Sequence, residues 1–154
     1  MILSDVSIKE KMKSGEIVID PFCDEFLQPA SYDLHLDRYF LVFNKENVGM
    51  IDVKNKCDDL MREIDIGKNG YFIIHPGELV LANVKEVIGV DDKHVGRLEG
   101  KSSLGRIGLI VHATAGFLDP GNKLRMTLEL SNLSSLPIKV YEGMGISQIA
   151  FEEL

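Results

Sequence analysis

The sequence predicts a mainly β protein built as a sandwich, a jelly roll or a barrel. Its 154 residues are the length of one ordinary domain, and we expect residues 1–154 to form one. Short apolar or alternating runs recur along the chain, which is typical of strands. Clusters of Gly, Pro, Asn and Asp separate these runs and predict turns. Many short strands at close spacing are typical of those three architectures.

One short helix is predicted at the N-terminus. Ser7 and Glu10 have the spacing of a capping box, and Ile8 and Met12 recur at helical spacing. Gly15 follows where a helix would end, because glycine adopts the left-handed conformation of a C-cap without strain. The pattern therefore predicts a helix that starts near Ser7.

The predicted strands share apolar or alternating side chains bounded by turn residues. They are 17–19, 39–43, 71–74, 79–84, 109–111, 138–141 and 146–151. Turn chemistry marks residues 28–30, 75–78, 119–122 and 141–144. The segment 44–69 is polar and weakly periodic, so we expect a surface excursion within the same domain.

The composition limits the kinds of partner that the protein could bind. A formal net charge of −7 opposes binding to DNA or RNA, but a local cluster of cations and backbone N–H groups could still hold a small phosphorylated ligand. No apolar run approaches the roughly 20 residues of a membrane helix, and no signal core follows Met1. We therefore expect a cytoplasmic protein with no membrane partner, in which Cys23 and Cys57 are reduced.

Residues 100–106 read Gly-Lys-Ser-Ser-Leu-Gly-Arg and suggest a phosphate-binding loop. A P-loop would need a glycine at position 95, which is Val95, so that interpretation is rejected. Two hydroxyls, backbone donors and the cations Lys101 and Arg106 could still hold phosphate. From these residues alone, a polar turn between strands is an equally good interpretation.

The segment 124–130 alternates in the manner of a strand. Thr127 and Glu129 would share one face, where Glu129 could act as a general base for a water nucleophile. The alternative is a glutamate that only faces solvent, as most strand glutamates do. The opposite face is expected to pack through its apolar side chains, namely Leu124, Met126, Leu128 and Leu130.

A zinc-dependent deaminase is excluded by its missing ligands. That class needs His-x-Glu or Cys-x-Glu and a later Pro-Cys-x-x-Cys, and this chain has neither pattern. We therefore expect no zinc cofactor and interpret the four histidines as core or surface residues. His112 is kept as a partial exception because it lies between the 100–106 loop and Asp119.

Five segments, taken in order, resemble the dCTP deaminase family of the dUTPase superfamily. The resemblance implies a dUTPase-like distorted β-barrel or jelly roll with a short N-terminal helix. It also implies a homotrimer with active sites between subunits, and Mg²⁺ bound through the nucleotide triphosphate. The segments are QPASYDL at 28–34, GKSSLGR at 100–106, TAGFLDPG at 114–121, TLEL at 127–130, and Gly143-Met144 with Gln148.

The resemblance also implies a role for each matching residue. Glu129 matches the general base, while Ser102 and Arg106 match the groups that position water and stabilise charge near the ring. Asp119 matches a contact to the deoxyribose. The complete set of substrate-binding residues implied in this way is Lys101, Ser102, Ser103, Leu104, Gly105, Arg106, Asp119, Thr127, Leu128, Glu129 and Gln148.

The implied reaction is zinc-independent deamination of dCTP. Gly116 and Phe117, just before Asp119, resemble the members that also split dUTP into dUMP and pyrophosphate; otherwise Gly116 only supplies a turn and Phe117 packs. The family's substrates are dCTP and dUTP, and dTTP is an expected inhibitor. Two alternatives stay open: a dUTP diphosphatase without deaminase activity, and a non-catalytic nucleotide-binding β-domain.

The family also has a C-terminal lid that closes over the triphosphate and carries a tyrosine, a lysine and a glutamine. The present sequence ends at Leu154 before such a segment. Either the lid belongs to a longer chain, which we expect, or this protein closes its site differently. Without a lid, phosphate binding would be weaker and water less well excluded.

Overall fold

Strands form most of the regular structure in a computed structural model of the chain, which confirms the mainly β prediction. The structure describes residues 1–114 and 116–154. Within those residues, no helix combines the length and the apolar character that crossing a membrane requires. The helices are α1 Asp5–Ser14 and α2 Ser102–Gly105, with a 3-10 turn at Asp24–Phe26. The strands are β1 Ile17–Asp20, β2 Leu27–Gln28, β3 Ser31–Phe43, β4 Met61–Asp65, β5 Tyr71–Ile74, β6 Leu79–Val84, β7 Val87–Val90, β8 His94–Gly100, β9 Leu109–Ile110, β10 Phe117–Leu118, β11 Lys123–Leu124, β12 Thr127–Asn132, β13 Ile138–Tyr141 and β14 Gly145–Glu153.

Helix α1 begins earlier than the sequence predicts. Ser4 is the N-cap, and its side chain accepts a hydrogen bond from the backbone N–H of Ser7 at 3.2 Å. The prediction that Ser7 starts the helix is therefore wrong. The predicted end is confirmed, since Gly15 caps the helix in the left-handed conformation with φ 80°. Ile8 anchors the helix because its side chain is fully buried.

The largest sheet has the strand order β10-β8-β14-β3-β6-β12-β9, and β2 and β4 also pair with β3. All of these pairs are antiparallel. The first part of β3 pairs with β14 and its later part with β4 and β6, so this one long strand joins the two halves of the sheet. Two smaller sheets, β1-β7-β11 and β13-β5, complete the fold.

The core lies where alternate side chains of these strands meet. Tyr32, Leu34 and Leu36 of β3 are fully buried, while the residues between them are only partly buried. Phe40 stacks on Phe72 of the neighbouring small sheet, with ring centroids 4.6 Å apart. This period of two leaves the opposite face of β3 free for polar side chains.

Several strands differ from the prediction. The predicted strands 71–74, 79–84 and 138–141 are confirmed with the same bounds, whereas β4, β7 and β8 lie where no strand was predicted. Strand β4 belongs to the segment predicted as a surface excursion, and most of its side chains face solvent. Strand β8 contains Gly96, where an added Cβ would come within 2.9 Å of Ile149 Cδ1, so this close contact favours glycine in place of an apolar residue.

Candidate active site

The predicted nucleotide-binding loop is a single helical turn, α2, which follows β8. The backbone N–H groups of Leu104 and Gly105 both donate to the carbonyl of Lys101 at 3.0 Å, and Arg106 N–H donates to Ser102 O at 3.0 Å. These three amides are therefore not available to a ligand in this conformation. The backbone N–H groups that the loop could offer to a phosphate are thus fewer than the sequence predicts. Leu104 packs against the core, whereas Ser102 and Ser103 are exposed.

Two adjoining cavities of about 250 and 450 Å³ lie beside this turn, and we call them together the serine-loop pocket. Lys101, Ser102 and Gln148 line both cavities. The smaller one is completed by Gln28, Asp33 and Ser103, and the larger one by Gly100, Gly105, Leu109, Ile110, Val111 and His112.

Charged and polar groups hold the serine-loop pocket in place. Lys101 Nζ forms an ion pair with Asp33 Oδ2 at 2.6 Å. Ser31 Oγ donates to Gln148 Oε1 at 2.9 Å, and Gln148 Nε2 donates to Gly100 O at 3.2 Å. The pocket therefore has one cation and one oriented amide beside exposed hydroxyls, a set of donors suited to phosphate.

Arg106 does not join this arrangement. Its side chain is exposed and is not among the groups that line the serine-loop pocket. The structure thus places Ser102, Lys101 and Gln148 at one pocket, and Arg106 contributes only its backbone hydrogen bond to Ser102 O.

Glu129 occupies a different place, on β12. Its Oε2 accepts hydrogen bonds from the backbone N–H groups of Ala113 at 2.6 Å and Thr114 at 3.3 Å. Leu128 and Leu130 are fully buried on the opposite face of the strand, as predicted. The buried Leu128 side chain is therefore not one of the groups that form a pocket surface here.

Leu124 departs from the predicted packing face. It lies on β11 rather than β12, and its side chain is 41% exposed. Residues 125 and 126 separate the two strands, so the alternation that begins at Leu124 does not continue through one strand. The expectation that four leucine and methionine side chains share one buried face is wrong at this residue.

A cavity of about 350 Å³, the Glu129 pocket, opens beside this carboxylate. Thr127 Oγ1 donates to Asn83 Oδ1 at 3.2 Å at its edge. Asp119 begins the predicted turn, in which Asn122 N–H donates to Asp119 O at 3.1 Å. Phe117 is 63% exposed and so does not pack in the core. The lining residues are Leu81, Phe117, Leu118, Asp119, Asn122, Leu124, Met126, Thr127 and Glu129.

The two pockets are separate within one chain. Among the described residues, none lines both of them. Residues 111–114 form part of the boundary, because Val111 and His112 line the serine-loop pocket while Ala113 and Thr114 donate to Glu129. A single chain therefore does not bring Ser102 and Glu129 into one cavity.

His112 and Gly116 meet near this boundary. An added Cβ on Gly116 would lie 3.5 Å from His112 Nε2 and 3.0 Å from Leu98 O. His112 Nδ1 is buried without a hydrogen-bond partner in the part of the chain that the structure describes. The space beside Gly116 is thus bounded by a backbone carbonyl and an imidazole.

Asp33 and Asn122 line the pockets but were not among the predicted site residues. Asp33 is directly opposite Gln148 in the register of β3 and β14. Asp33 lies in the segment 28–34, which resembles the dCTP deaminase family. The alternation of β3 places it on the polar face of that strand. Asn122 lies in the predicted turn 119–122, and nothing else in the sequence marked it as a site residue.

Comparison with solved structures identifies the class of fold as dUTPase-like. The structure of a 2′-deoxycytidine 5′-triphosphate deaminase from Agrobacterium tumefaciens aligns with a TM-score of 0.74 and 22% identity, covering 97% of this chain and 46% of that one. A point mutant of the dUTPase from phage phi11 of S. aureus aligns with a TM-score of 0.56 and 10% identity over 90% of each chain.

The chain belongs to the dCTP deaminase-like family, whose model matches residues 2–154. It is 49% identical to a dUMP-forming dCTP deaminase of Streptomyces coelicolor over 154 residues, which are 100% of this chain and 81% of that protein. A dUMP-forming dCTP deaminase of Tropheryma whipplei is 46% identical over the same 154 residues and is covered to 79%. The family suggested by the sequence segments is therefore confirmed.

Proposed function

We propose that this chain deaminates dCTP and hydrolyses the resulting triphosphate, so that dUMP, pyrophosphate and ammonia are formed without zinc. The observation that carries the proposal is the Glu129 carboxylate, which backbone amides anchor through one oxygen beside a pocket that Asp119 and Thr127 also line. Support comes from the 49% identity, over the full chain, to a protein named as a dUMP-forming dCTP deaminase.

Glu129 would act as the general base of deamination. Ala113 and Thr114 hold Oε2, so Oε1 is the oxygen left to accept a proton from water. The resulting hydroxide adds to C4 of cytosine, and the proton is returned to the amino group, which leaves as ammonia. The remaining hydroxyl proton moves to N3, which gives the uracil ring. One water is consumed, the C–N bond is broken, and the product is dUTP.

Ser102 and Arg106 would complete the site from a neighbouring subunit. The serine-loop pocket and the Glu129 pocket are separate in one chain, which favours sites formed between chains. A homotrimer in which each serine-loop pocket meets the next chain's Glu129 pocket gives three equivalent sites by rotation. In that arrangement Arg106, exposed here, would be free to reach the ring or the water.

The triphosphate would lie in the serine-loop pocket, near Lys101 and Gln148. Mg²⁺ bound through the phosphate oxygens would neutralise their charge. The donors of the pocket fit a phosphate-bound ion, because Lys101 and Gln148 can hold phosphate oxygens while Mg²⁺ takes its ligands from the other phosphate oxygens and from water. The nucleotide dTTP carries the same sugar and triphosphate, so it would compete for the same pockets.

Hydrolysis of the α–β phosphate bond would use a second water near Asp119. We infer this step from Gly116 and Phe117, which precede Asp119. Because residue 116 is glycine, no side chain occupies that position. A Cβ there would crowd Leu98 O at 3.0 Å, so the segment leading to Asp119 depends on the glycine. Attack on phosphorus breaks the bond to the leaving pyrophosphate and leaves dUMP.

The test is to incubate the purified protein with dCTP and Mg²⁺ while ammonia release and the ³¹P NMR spectrum are followed. Pyrophosphate appearing with dUMP and one ammonia per nucleotide is the expected result. Intact dUTP as the sole product, with added dUTP left uncleaved, would leave a deaminase without the second step. Cleavage of dUTP with no turnover of dCTP would identify a dUTP diphosphatase, and turnover of neither would identify a binding domain.

A further inference from the structure

Three potential metal ligands converge near the start of β8, at the end opposite the serine loop. Glu16 follows helix α1, Asp91 follows β7, and His94 begins β8. One ligand atom from each residue lies within 4.8 Å of the others. The strand from His94 to Gly100 is about 20 Å long at roughly 3.3 Å per residue, so this cluster is remote from the serine loop.

His94 is oriented as a metal-ligating histidine is. Its side chain is 1% exposed, and Nδ1 lies 2.6 Å from Asp91 Oδ1. Because a carboxylate accepts this hydrogen bond, Nδ1 is the donor, and Nε2 is the ring nitrogen that could bind a metal. A carboxylate partner on the other ring nitrogen is the usual support of a metal-bound histidine.

His94 Nε2 has no hydrogen-bond partner among residues 1–114 and 116–154, although it is buried. Buried polar atoms normally have a partner, so this nitrogen calls for an explanation. The nearest acidic atom is Glu16 Oε2, at 4.0 Å. Two metal bonds of about 2.1 Å can span that separation, and a closer approach would give tetrahedral geometry.

In this structure, Lys11 supplies the positive charge beside Glu16 and His94. Its Nζ forms an ion pair with Glu16 Oε2, the same oxygen that faces His94. The two ligand atoms, Glu16 Oε2 and His94 Nε2, are both buried. The Lys11 and Glu16 side chains are partly exposed, so an ion would enter from this side as Lys11 moves away. The flexible Lys11 side chain could withdraw into water when another cation arrives.

We propose that Glu16 and His94 bind a divalent transition metal such as Zn²⁺, Co²⁺ or Ni²⁺, with Asp91 holding the imidazole and water completing the coordination. A nitrogen and oxygen ligand set suits these ions better than Mg²⁺. The site is structural and takes no part in the proposed deamination. It would tie the end of α1 to β7 and β8, and it does not depend on the proposed function.

The test uses tag-free protein stripped with a chelator and titrated with Zn²⁺ or Co²⁺. We expect one ion per chain by calorimetry, and a rise in Tm of about 5–10 °C when free metal is 100-fold above Kd. His94→Gln should abolish binding, whereas His75→Gln, which alters an exposed histidine outside the cluster, should leave it unchanged. Lys11→Met should strengthen binding several-fold because the competing cation is removed.

Circular dichroism of each metal-free variant separates loss of the ligand from loss of the fold. If His94→Gln is unfolded, the Lys11→Met result decides, because only a site at Glu16 predicts tighter binding. Absence of binding at 100 µM metal in both the parent and Lys11→Met, or binding that survives in folded His94→Gln, would overturn the proposal.

Discussion

The Glu129 carboxylate accepts a hydrogen bond from the backbone N–H of Ala113, with 2.6 Å between N and Oε2. A second N–H, from Thr114, reaches the same oxygen at 3.3 Å. Backbone donors cannot rotate away as side chains can, so they fix the carboxylate before substrate arrives. These hydrogen bonds use Oε2, and in the proposed mechanism Oε1 is the oxygen that takes the proton from water.

Glu129→Gln should remove deamination while keeping the fold and nucleotide binding. The amide oxygen can still accept from Ala113 N–H, but the amide cannot take a proton from water. We expect kcat for dCTP to fall by about 10²–10⁴-fold with little change in nucleotide Kd. Glu63→Gln, which changes an exposed strand glutamate, is the matched control and should keep the parental rate. A Glu129→Gln protein that is as active as the parent would show that Glu129 is not the base.

Lys101→Met should weaken binding of the triphosphate more than it slows the chemistry. Methionine is an unbranched side chain one atom shorter than lysine, and it lacks the charge that pairs with Asp33. Loss of one charge-assisted contact, about 1.5–3 kcal/mol, predicts a KM for dCTP raised roughly 10–100-fold. Steady-state kinetics measure this, with Lys45→Met as the control for a lysine outside the serine-loop pocket. An unchanged KM would place the phosphates elsewhere.

Gly116→Ala should favour release of dUTP over dUMP. The added methyl would lie 3.0 Å from Leu98 O, and the residues that lead to Asp119 would have to shift. We expect the fraction of product recovered as dUMP to fall about 10-fold while ammonia release continues. A 10-fold fall corresponds to a rise of roughly 1.4 kcal/mol in the activation barrier of the phosphate hydrolysis step. Product ratios by ³¹P NMR test this. Gly49→Ala, where a methyl meets nothing within 4 Å, is the control.

The sequence predicts strands well where alternation is uninterrupted, as in β6. It fails at β8, because Gly96 is required by the approach of Ile149 from β14, a contact that no local pattern contains. The prediction of the N-cap residue fails for a similar reason. Asp5 N–H donates to Pro29 O, and this tertiary bond helps to fix the helix start beside Ser4 rather than Ser7.

Candidate site residues could be named from the sequence, but the geometry that relates them could not. Alternation placed Thr127 and Glu129 on one face, and the matching segments supplied Ser102. Nothing local predicts that Ala113 N–H anchors Glu129, or that His94 meets Glu16, because the sheet brings these distant segments together. The separation of the two pockets likewise depends on the path of residues 111–114.

Stability should depend on pH through Glu142. The Lys85 ammonium, followed by the Asn69 N–H at 3.0 Å, holds the pKa of the Glu142 carboxyl below its usual 4.5. A lowered carboxyl pKa means that the stabilisation is present above the unfolded pKa and is lost as pH falls through the folded pKa.

Glu142→Gln should therefore lower the unfolding free energy at pH 7 by about 0.5–1 kcal/mol, a modest value because solvent reaches Lys85. The corresponding fall in Tm is about 1–4 °C. The difference from the parent should shrink as pH is lowered below 4.5. Glu10→Gln on the exposed side of α1 is the control. A difference between Glu142→Gln and the parent that stays constant from pH 7 to acid would contradict the ion-pair explanation.

The protein should be a trimer in solution if the proposed site is shared between chains, because the serine-loop pocket and the Glu129 pocket are separate within one chain. Light scattering at micromolar concentration should give three times the 17.2 kDa of one chain. A monomer that is fully active would contradict shared sites.

Mixing two inactive variants tests whether the site is shared. Ser102→Ala chains keep Glu129, and Glu129→Gln chains keep Ser102, so an intact site forms only where the two kinds of chain meet in the right order. Random reassembly of equal amounts should restore roughly a quarter of the parental sites, since each half is intact with a probability of about one half. The activity should appear only after the subunits exchange, which differently tagged chains make visible. Mixing Glu129→Gln chains with chains that carry both Ser102→Ala and Glu129→Gln should restore nothing, because no chain then supplies Glu129. If the exchanged mixture of single variants stayed inactive, Ser102 and Glu129 would have to act within the same chain, and residues 111–114 would have to move to bring them together.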